Sequence, residues 1–418
     1  MRIIYLHQYF TTPSMSGGVR SYEMASHLVS SGHEVNVVTT WREPLTSRST
    51  GWYETNENGI RVHWLPVEYS NTMTFARRMI AFGNFVRAAQ RKAVTIGGDI
   101  VFATSTPLTI ALPAVRAARA LKVPMVFEVR DLWPSVPIGM GVLRNPILTR
   151  AARWLERYAY ANSAGVVALS PGMKRGVVAT GYPSELVTVI PNLCVNDFFQ
   201  VSADARTRFR RKHPWLQHRP LVVYTGALGA VNGVGYLVRL AARVLALDPE
   251  IRFLIVGSGK EYGFVEKTAE DLGVLNKNFF MMRSIPRLEI RDVLLGADLA
   301  TSVVINNKVL FDNSANKFFD ALAAGKPVAI NHAGWQAELI QATDAGLVLP
   351  PDDFESAASI VTAALHNRAW LKRAGQAARR LALEEFSRVK LTAKFENVLV
   401  DAARCNQRRS SGVVHSAP

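Results

Sequence analysis

The sequence predicts an α/β protein made of two doubly wound, Rossmann-like domains. Three observations point to it. Short β-branched apolar runs alternate with stretches of helical period along the whole chain. The alternation pauses around residues 192–217 and then restarts, and 418 residues is a two-domain length.

In the first half the runs Arg2–Leu6, Glu34–Thr39, Arg61–Leu65, Ile100–Ala103, Met125–Val129, Gly165–Ala168 and Leu186–Ile190 read as strands, with helices over Val19–Ser30 and Pro113–Leu121. In the second half the strands are Leu221–Thr225, Arg252–Val256, Phe279–Met282, Leu299–Val303, Val328–Ile330 and Leu347–Leu349. Helices there fall on Val234–Leu245 and Phe264–Leu272. Continuous apolar strands linked by helices imply parallel sheets covered on both faces. The pause holds Pro191, Asn192, Pro214 and the charged run RTRFRRKH, the composition of a linker with a short helix. The expected division is residues 1–195, a linker at 196–217, a second domain at 218–387, and a terminal helix over 388–418 that crosses back and ends in a frayed tail.

Composition excludes several classes. With 49% apolar and 20% charged residues the chain is neither disordered nor fibrous. No apolar run reaches the roughly 18 residues of a membrane span. The opening MRIIYLHQYF lacks the order of a signal peptide, so a cytoplasmic location is expected. Two cysteines, Cys194 and Cys405, offer neither a disulfide framework nor a zinc site. The net charge of +16 is spread evenly, with 20 basic against 12 acidic residues in 1–200 and 29 against 21 in 201–418. Such a field favours anionic partners, and an arginine-rich composition explains it equally well. No element interleaves basic and aromatic residues as nucleic-acid binding requires, so no nucleic-acid partner is expected.

In doubly wound sheets ligands lie beyond the carboxyl ends of the strands, which singles out the loops there. The first loop runs from His7 to Arg20 and contains Gly17 and Gly18 ahead of a helix. Paired glycines admit a ligand to the backbone and a helix N-terminus to an anion, although a plain turn reads the same way. After the fifth strand comes EVRDLWPS, where Arg130 beside Asp131 reads either as a local ion pair or as a carboxylate or guanidinium facing the domain cleft. In the second half YTGALGAVNG places Gly226 and Gly229 between strand and helix. VGSGK adds small residues that admit a ligand, with Lys260 as a charge for phosphate, and Arg283 and Ile285 follow the next strand. These come from three adjacent strand ends and read as one site.

The most informative segment is FDNSANKFFDALAAGKPV. A helix is expected to start near Ser314, after Asp312, with Asn316 and Lys317 in its first turn and Asp320 two turns in. Free N–H groups, the helix dipole and Lys317 favour a phosphate there, and Asp320 is placed to accept hydrogen bonds from a ribose diol. The plainer alternative has Ser314 as N-cap with Lys317 and Asp320 merely solvated.

These residues resemble family 4 retaining glycosyltransferases of the GT-B type, over nearly the whole chain. Gly17-Gly18 matches that family's amino-terminal glycine loop, and Gly226 and Gly229 its second glycine loop. NKFFDALAAGKPV is similar to its acidic pair, usually two glutamates separated by seven residues. Within the family, EVRDLWP, YTGALGAVNG and SANKFFDALAAGKPV look most like bacterial enzymes that add acetamido sugars, such as N-acetyl-L-fucosamine, during O-antigen or capsule assembly.

The resemblance implies two Rossmann-like domains facing a deep cleft, the amino-terminal one binding acceptor and the carboxyl-terminal one nucleotide sugar. It implies a UDP-sugar donor and a polyprenyl-diphosphate-linked saccharide acceptor, with no cofactor and no divalent metal. Asp320 would bind ribose, while Asn313, Ser314, Ala315 and Asn316 would face donor sugar and phosphate. Asp312 would meet the sugar hydroxyls, Lys317 and Lys260 the diphosphate, and Arg283 and Ile285 the base. Catalysis would fall to Asp131, Arg130 and Asp312.

Three positions depart from the pattern. Both acids are aspartates, Arg130 stands where many members carry histidine, and Asn232 stands near a usual lysine, which shifts weight to Lys260 and Arg283. Rival activities are transfer from a GDP- or dTDP-sugar to a soluble acceptor, a sugar-nucleotide epimerase of the same fold, and a basic membrane- or nucleic-acid-binding protein without turnover. A lipid acceptor also implies a peripheral place on the inner membrane face. The basic amphipathic stretch Thr74–Ala93 would supply the contact, unless its apolar face packs inward.

Overall fold

The computed structural model describes residues 1–15, 17–41, 51–67, 75–105, 107–200 and 204–410, without the side chains of 41, 75–82, 204–206 and 408–410. The chain forms two compact units, one of residues 1–13, 17–191 and 391–418, the other of 14–16 and 192–390.

The first unit is built on β1 (Arg2–Leu6), β2 (Glu34–Trp41), β3 (Tyr53–Glu57), β4 (Ile60–Pro66), β5 (Ile100–Thr104), β6 (Met125–Val129), β7 (Gly165–Ala168) and β8 (Val187–Val189). They form one sheet in the order β3-β4-β2-β1-β5-β6-β7-β8. Every pairing is parallel except β3 with β4. Strands such as β5 and β6 are buried along their whole length, which is why they read as predominantly apolar runs. Strand β3 is new relative to the sequence reading. It is polar, lies at the edge, and joins β4 through Asn58 and Gly59, both at positive φ (53° and 88°), the conformation a two-residue hairpin demands.

The second unit carries β9 (Leu221–Thr225), β10 (Arg252–Val256), β11 (Phe279–Met282), β12 (Leu299–Thr301), β13 (Val328–Ile330) and β14 (Gly346–Val348). This all-parallel sheet runs β11-β10-β9-β12-β13-β14. Each unit is therefore one Rossmann-like, doubly wound domain, and the chain has the two that the sequence predicts. The strand order reverses between β1 and β5 in the first sheet and between β9 and β12 in the second. Those are the switch points beside which doubly wound folds bind ligands.

One segment differs from expectation. Residues 192–217 belong to the second unit rather than to a free linker. Arg210 holds them there, pairing with Asp298 at 2.7 Å and donating to the carbonyls of Gly296 and Arg219, while Phe209 is buried against Gly296. Residues 201–203 lie outside the described residues. The final helix, Arg388–Ser410, packs into the first unit from Leu391 onward. Phe395 meets Phe102 edge-on at 4.7 Å, and Glu396 accepts from His27, Ser31 and His33. The tail 411–418 lies outside the described residues.

Candidate functional site

In the first unit the loops after β1, β5 and β6 converge. The Arg130 N–H donates to Ser105 Oγ at 2.9 Å, and its guanidinium lies 3.4 Å from His7 Nε2. Arg130 thus engages the loop after β1 rather than pairing with its neighbour. Asp131 follows directly, and burial pushes its carboxyl up to about 6, with the Arg130 charge offsetting part of the effect. A carboxyl titrating near neutrality is suited to taking a proton.

Beneath this cluster lies a fully buried ion pair. Arg20 contacts Glu128 at 2.8 and 3.0 Å, donates to the Ile190 carbonyl at 2.9 Å, and reaches the Pro191 carbonyl. Thr104 donates to the second Glu128 oxygen at 2.7 Å. Burial raises the Glu128 pKa, but the charges of Arg20 and Arg130 and the Thr104 hydrogen bond outweigh it and hold the carboxyl below its ordinary value. The pair fixes β6 under Arg130 and Asp131.

Gly17 takes φ +140°, and a Cβ there would lie 3.1 Å from Thr11 Cγ2, whose hydroxyl donates to the Gly18 carbonyl at 2.8 Å. The glycine is required by this closed turn. The helix it precedes, Arg20–Ser30, begins with Arg20 committed to Glu128.

In the second unit the loops after β9, β10 and β11 are stitched side by side. Gly226 N–H donates to the Val256 carbonyl, Leu228 N–H to Ser258, Gly257 N–H to Met282, and Ser284 N–H to Ser258 Oγ. The small residues of the β10 loop serve this contact rather than a ligand. A Cβ on Gly257 would fall 1.8 Å from the Gly226 oxygen, and one on Gly259 2.2 Å from the Leu228 oxygen. Gly257→Ala is therefore expected to destabilise the second unit by about 1–3 kcal/mol through overpacking. Urea unfolding checks this. Gly229, by contrast, has ordinary backbone (φ −120°), and the residue needing left-handed freedom in that loop is Gly233 at φ +57°.

Lys317 projects beside the β9 loop. Its Cε lies 3.1 Å from where a Gly226 Cβ would sit, its Nζ donates to Asn232 Oδ1 at 3.0 Å, and Nζ is 5.0 Å from the Tyr224 ring centroid. Burial pushes its pKa down to about 8, and no carboxylate pairs with it among the described residues. It remains a cation at neutral pH, half-buried and unneutralised.

The helix carrying Lys317 is Asn316–Ala323, and its N-cap is Ala315, with no side-chain cap. Ser314 is not the cap: its hydroxyl accepts from the Asn192 N–H at 3.3 Å and its carbonyl from the Asn192 side chain. The first-turn N–H groups are thus left without a side-chain acceptor beside a cation, which is the arrangement that receives an anion.

Asp320 lies one turn deeper and is not merely solvated. Arg287 reaches its carboxylate at 3.5 Å and itself stacks on Phe198 at 4.8 Å. Burial raises the Asp320 pKa and Arg287 lowers it in part. Arg283 is exposed and stacks on Tyr262 at 3.6 Å, presenting a flat cationic face next to half-buried Ile285. Lys260 is exposed at the β10 loop.

Asp312 and Asn313 are half-buried in the turn before the helix, where Trp335 donates to the Asn313 carbonyl at 3.1 Å. Phe311 stacks on His332 at 5.9 Å, and Gly334, at φ +98°, lets that loop close on the Phe311 oxygen. Burial holds the His332 pKa below its ordinary value. A cavity of about 540 Å³ opens there, at the carboxyl ends of β13 and β14, lined in part by His332, Glu338 and Gln341. Sequence reasoning missed His7, Arg287, Asn192 and His332, each of which acts through a partner brought to it by the fold.

Comparison with known proteins agrees with this geometry. Residues 17–193 match the Glycosyl transferase 4-like domain and residues 205–381 match the Glycosyl transferases group 1 family. The chain belongs to the glycosyltransferases. It is 25% identical to the putative colanic acid biosynthesis glycosyl transferase WcaI of Escherichia coli K12, over 66% of this chain and 71% of that one. It is 24% identical to the GDP-mannose-dependent alpha-(1-6)-phosphatidylinositol monomannoside mannosyltransferase of Mycolicibacterium smegmatis, over 84% and 86%. Among solved structures, the sucrose-phosphate synthase of Thermosynechococcus elongatus superposes with a TM-score of 0.79 at 16% identity, covering 97% of this glycosyltransferase and 99% of that chain.

Proposed function

We propose that this glycosyltransferase moves a sugar, with retention, from a UDP-sugar to a polyprenyl-diphosphate-linked saccharide in cell-surface polysaccharide assembly. The expected sugar is an N-acetylated hexosamine such as L-FucNAc. One observation carries the donor side of this reading: Lys317, a half-buried cation without a carboxylate partner among the described residues, stands in the first turn of an uncapped helix beside the β9 loop.

The diphosphate is held by Lys317 and the free N–H groups around Asn316, which stabilise the negative charge that grows as the bond from the sugar C1 to the diphosphate oxygen breaks. These fixed positive groups supply what a divalent metal would otherwise provide, and we propose a metal-independent reaction. Lys260 adds charge at the β10 loop, the Arg283–Ile285 surface accepts the base, and Asp320, oriented by Arg287, accepts from the ribose diol. Asp312 meets the sugar hydroxyls. As the new glycosidic bond forms on the same face, the acceptor hydroxyl gives its proton to the departing diphosphate oxygen.

On the acceptor side Asp131 orients that hydroxyl in its ionised form, next to the cationic Arg130. The pH dependence follows from the raised pKa. Below about pH 6 Asp131 takes up a proton, so kcat/KM is expected to fall about tenfold per pH unit, and Asp131→Asn removes that limb. The stability effect has the opposite sense. Because the folded pKa is raised from 3.8 to about 6, the first unit loses stability as pH rises through that window, and Asp131→Asn abolishes the loss. Thermal unfolding at a series of pH values checks it.

The donor reading is tested by thermal shift with UDP-, GDP- and dTDP-sugars. Stabilisation by UDP-acetamido sugars above the others is expected. Equal indifference to all three contradicts it.

A further inference from the structure

The helix Pro146–Ala161 of the first unit buries Glu156, Ala159 and Tyr160 and leaves its opposite face uncovered. Ile147, Ala151 and Trp154 recur there at helical spacing, forming one exposed stripe that ends at Tyr158, which is half-buried against the first unit's core. Ile147 is 77% exposed and Trp154 59%, and Val142, just ahead of the helix, is 78% exposed. Single exposed apolar residues are ordinary, but a continuous stripe of this size is not. Trp154 stacks on Tyr158 at 5.1 Å, and Arg119 of the neighbouring helix lies 5.7 Å over the Tyr158 ring.

The rim has one sign. Arg144, Arg150, Arg153 and Arg157 are exposed around the stripe, with Arg119 beside it, while the helix's one carboxylate, Glu156, is buried on the core side. Apolar area bordered by these arginines complements an anionic lipid surface, with ring and aliphatic groups below the headgroups and guanidinium groups at the phosphates. A second copy of the chain would oppose the same arginines to one another.

The helix singled out in the sequence, Phe75–Ile96, behaves differently in its described part. Phe85, Val86, Ala89 and Ala93 are buried in the first unit's core. The side chains of Phe75, Arg77, Arg78, Met79, Ile80 and Phe82, and Thr74 itself, lie outside the described residues. We propose that the protein docks on anionic lipid bilayers through the exposed face of Pro146–Ala161. The proposal deepens the lipid-linked reading of the acceptor and rests on it only for its biological purpose.

The test is sedimentation of the full chain with phosphatidylcholine vesicles, with and without phosphatidylglycerol. Binding is expected only with phosphatidylglycerol and is expected to weaken with salt. Ile147→Ser with Trp154→Ser is expected to abolish it. Arg150→Gln with Arg157→Gln should weaken it about 25-fold, about fivefold for each arginine. The thermal shift produced by UDP should be the same in all these variants, which keeps the lipid result separate from the donor reading: loss of the UDP shift in wild type sinks that reading alone. The docking proposal is overturned if wild type does not sediment with anionic vesicles, or if both pairs of substitutions leave binding unchanged. It is equally overturned if wild type is a dimer by size exclusion that the same substitutions dissociate without any vesicle binding.

Discussion

Replacing Lys317 with alanine is expected to raise the dissociation constant for the nucleotide donor about 10- to 100-fold, the usual value of a hydrogen bond made by a charged group. The effect should fall on binding and not on folding, because among the described residues the ammonium donates a single hydrogen bond, to Asn232. Lys317→Met is the sharper comparison, since it keeps the aliphatic stem beside Gly226 and deletes the charge with its hydrogen bond to Asn232 and its contact with the Tyr224 ring. Asn232→Ala removes the ammonium's protein partner while leaving the cation, so its donor affinity should stay within a few-fold of wild type. Isothermal titration with the donor reads all three. Wild-type affinity in Lys317→Met would remove the residue from the phosphate site. Asp320→Ala, which deletes the carboxylate that Arg287 holds, should abolish transfer with little change in the unfolding temperature.

The second large effect is on stability. Arg20→Met strands the Glu128 charge in the core and orphans the carbonyls of Ile190 and Pro191. Breaking a buried pair from one side costs about 3–5 kcal/mol. Joining it with Glu128→Leu should recover much of that loss, because two apolar groups need no partner, although Thr104 then loses its acceptor. Denaturant unfolding of the first unit distinguishes the single from the double variant. The pH sense is that of a carboxylate held below its ordinary 4.5. The stabilisation is present above that pH and is lost as pH falls through the lower folded value.

The strands were legible because parallel strands covered on both faces must be mostly apolar, and β1, β6, β9 and β10 each keep at least four apolar residues in five. Strand β3 was not, since YETNE is a half-exposed edge with no apolar run; the Asn58-Gly59 dipeptide was the available signal. The charged run around Arg210 reads as solvated in sequence, whereas its guanidinium is spent on Asp298 and three backbone carbonyls. The loops that the sequence singles out at strand ends hold Gly17 and Gly226, with Lys317 beside the latter, but the residue that needs left-handed backbone after β9 is Gly233, not Gly229. Partners were not legible. Nothing local to Asp320 announces Arg287, nor does Ser314 announce Asn192, whose contacts arise only when separate loops are brought together. Glycine in the β10 loop illustrates the same point, as space that looks reserved for a ligand is filled by the adjoining loop's backbone.

The most direct test is a crystal structure of the protein with an intact nucleoside diphosphate sugar. The account predicts diphosphate oxygens within hydrogen-bond reach of the Lys317 ammonium and of the N–H groups that open the helix Asn316–Ala323. A donor bound with its diphosphate elsewhere, and that helix end facing only water, would contradict it.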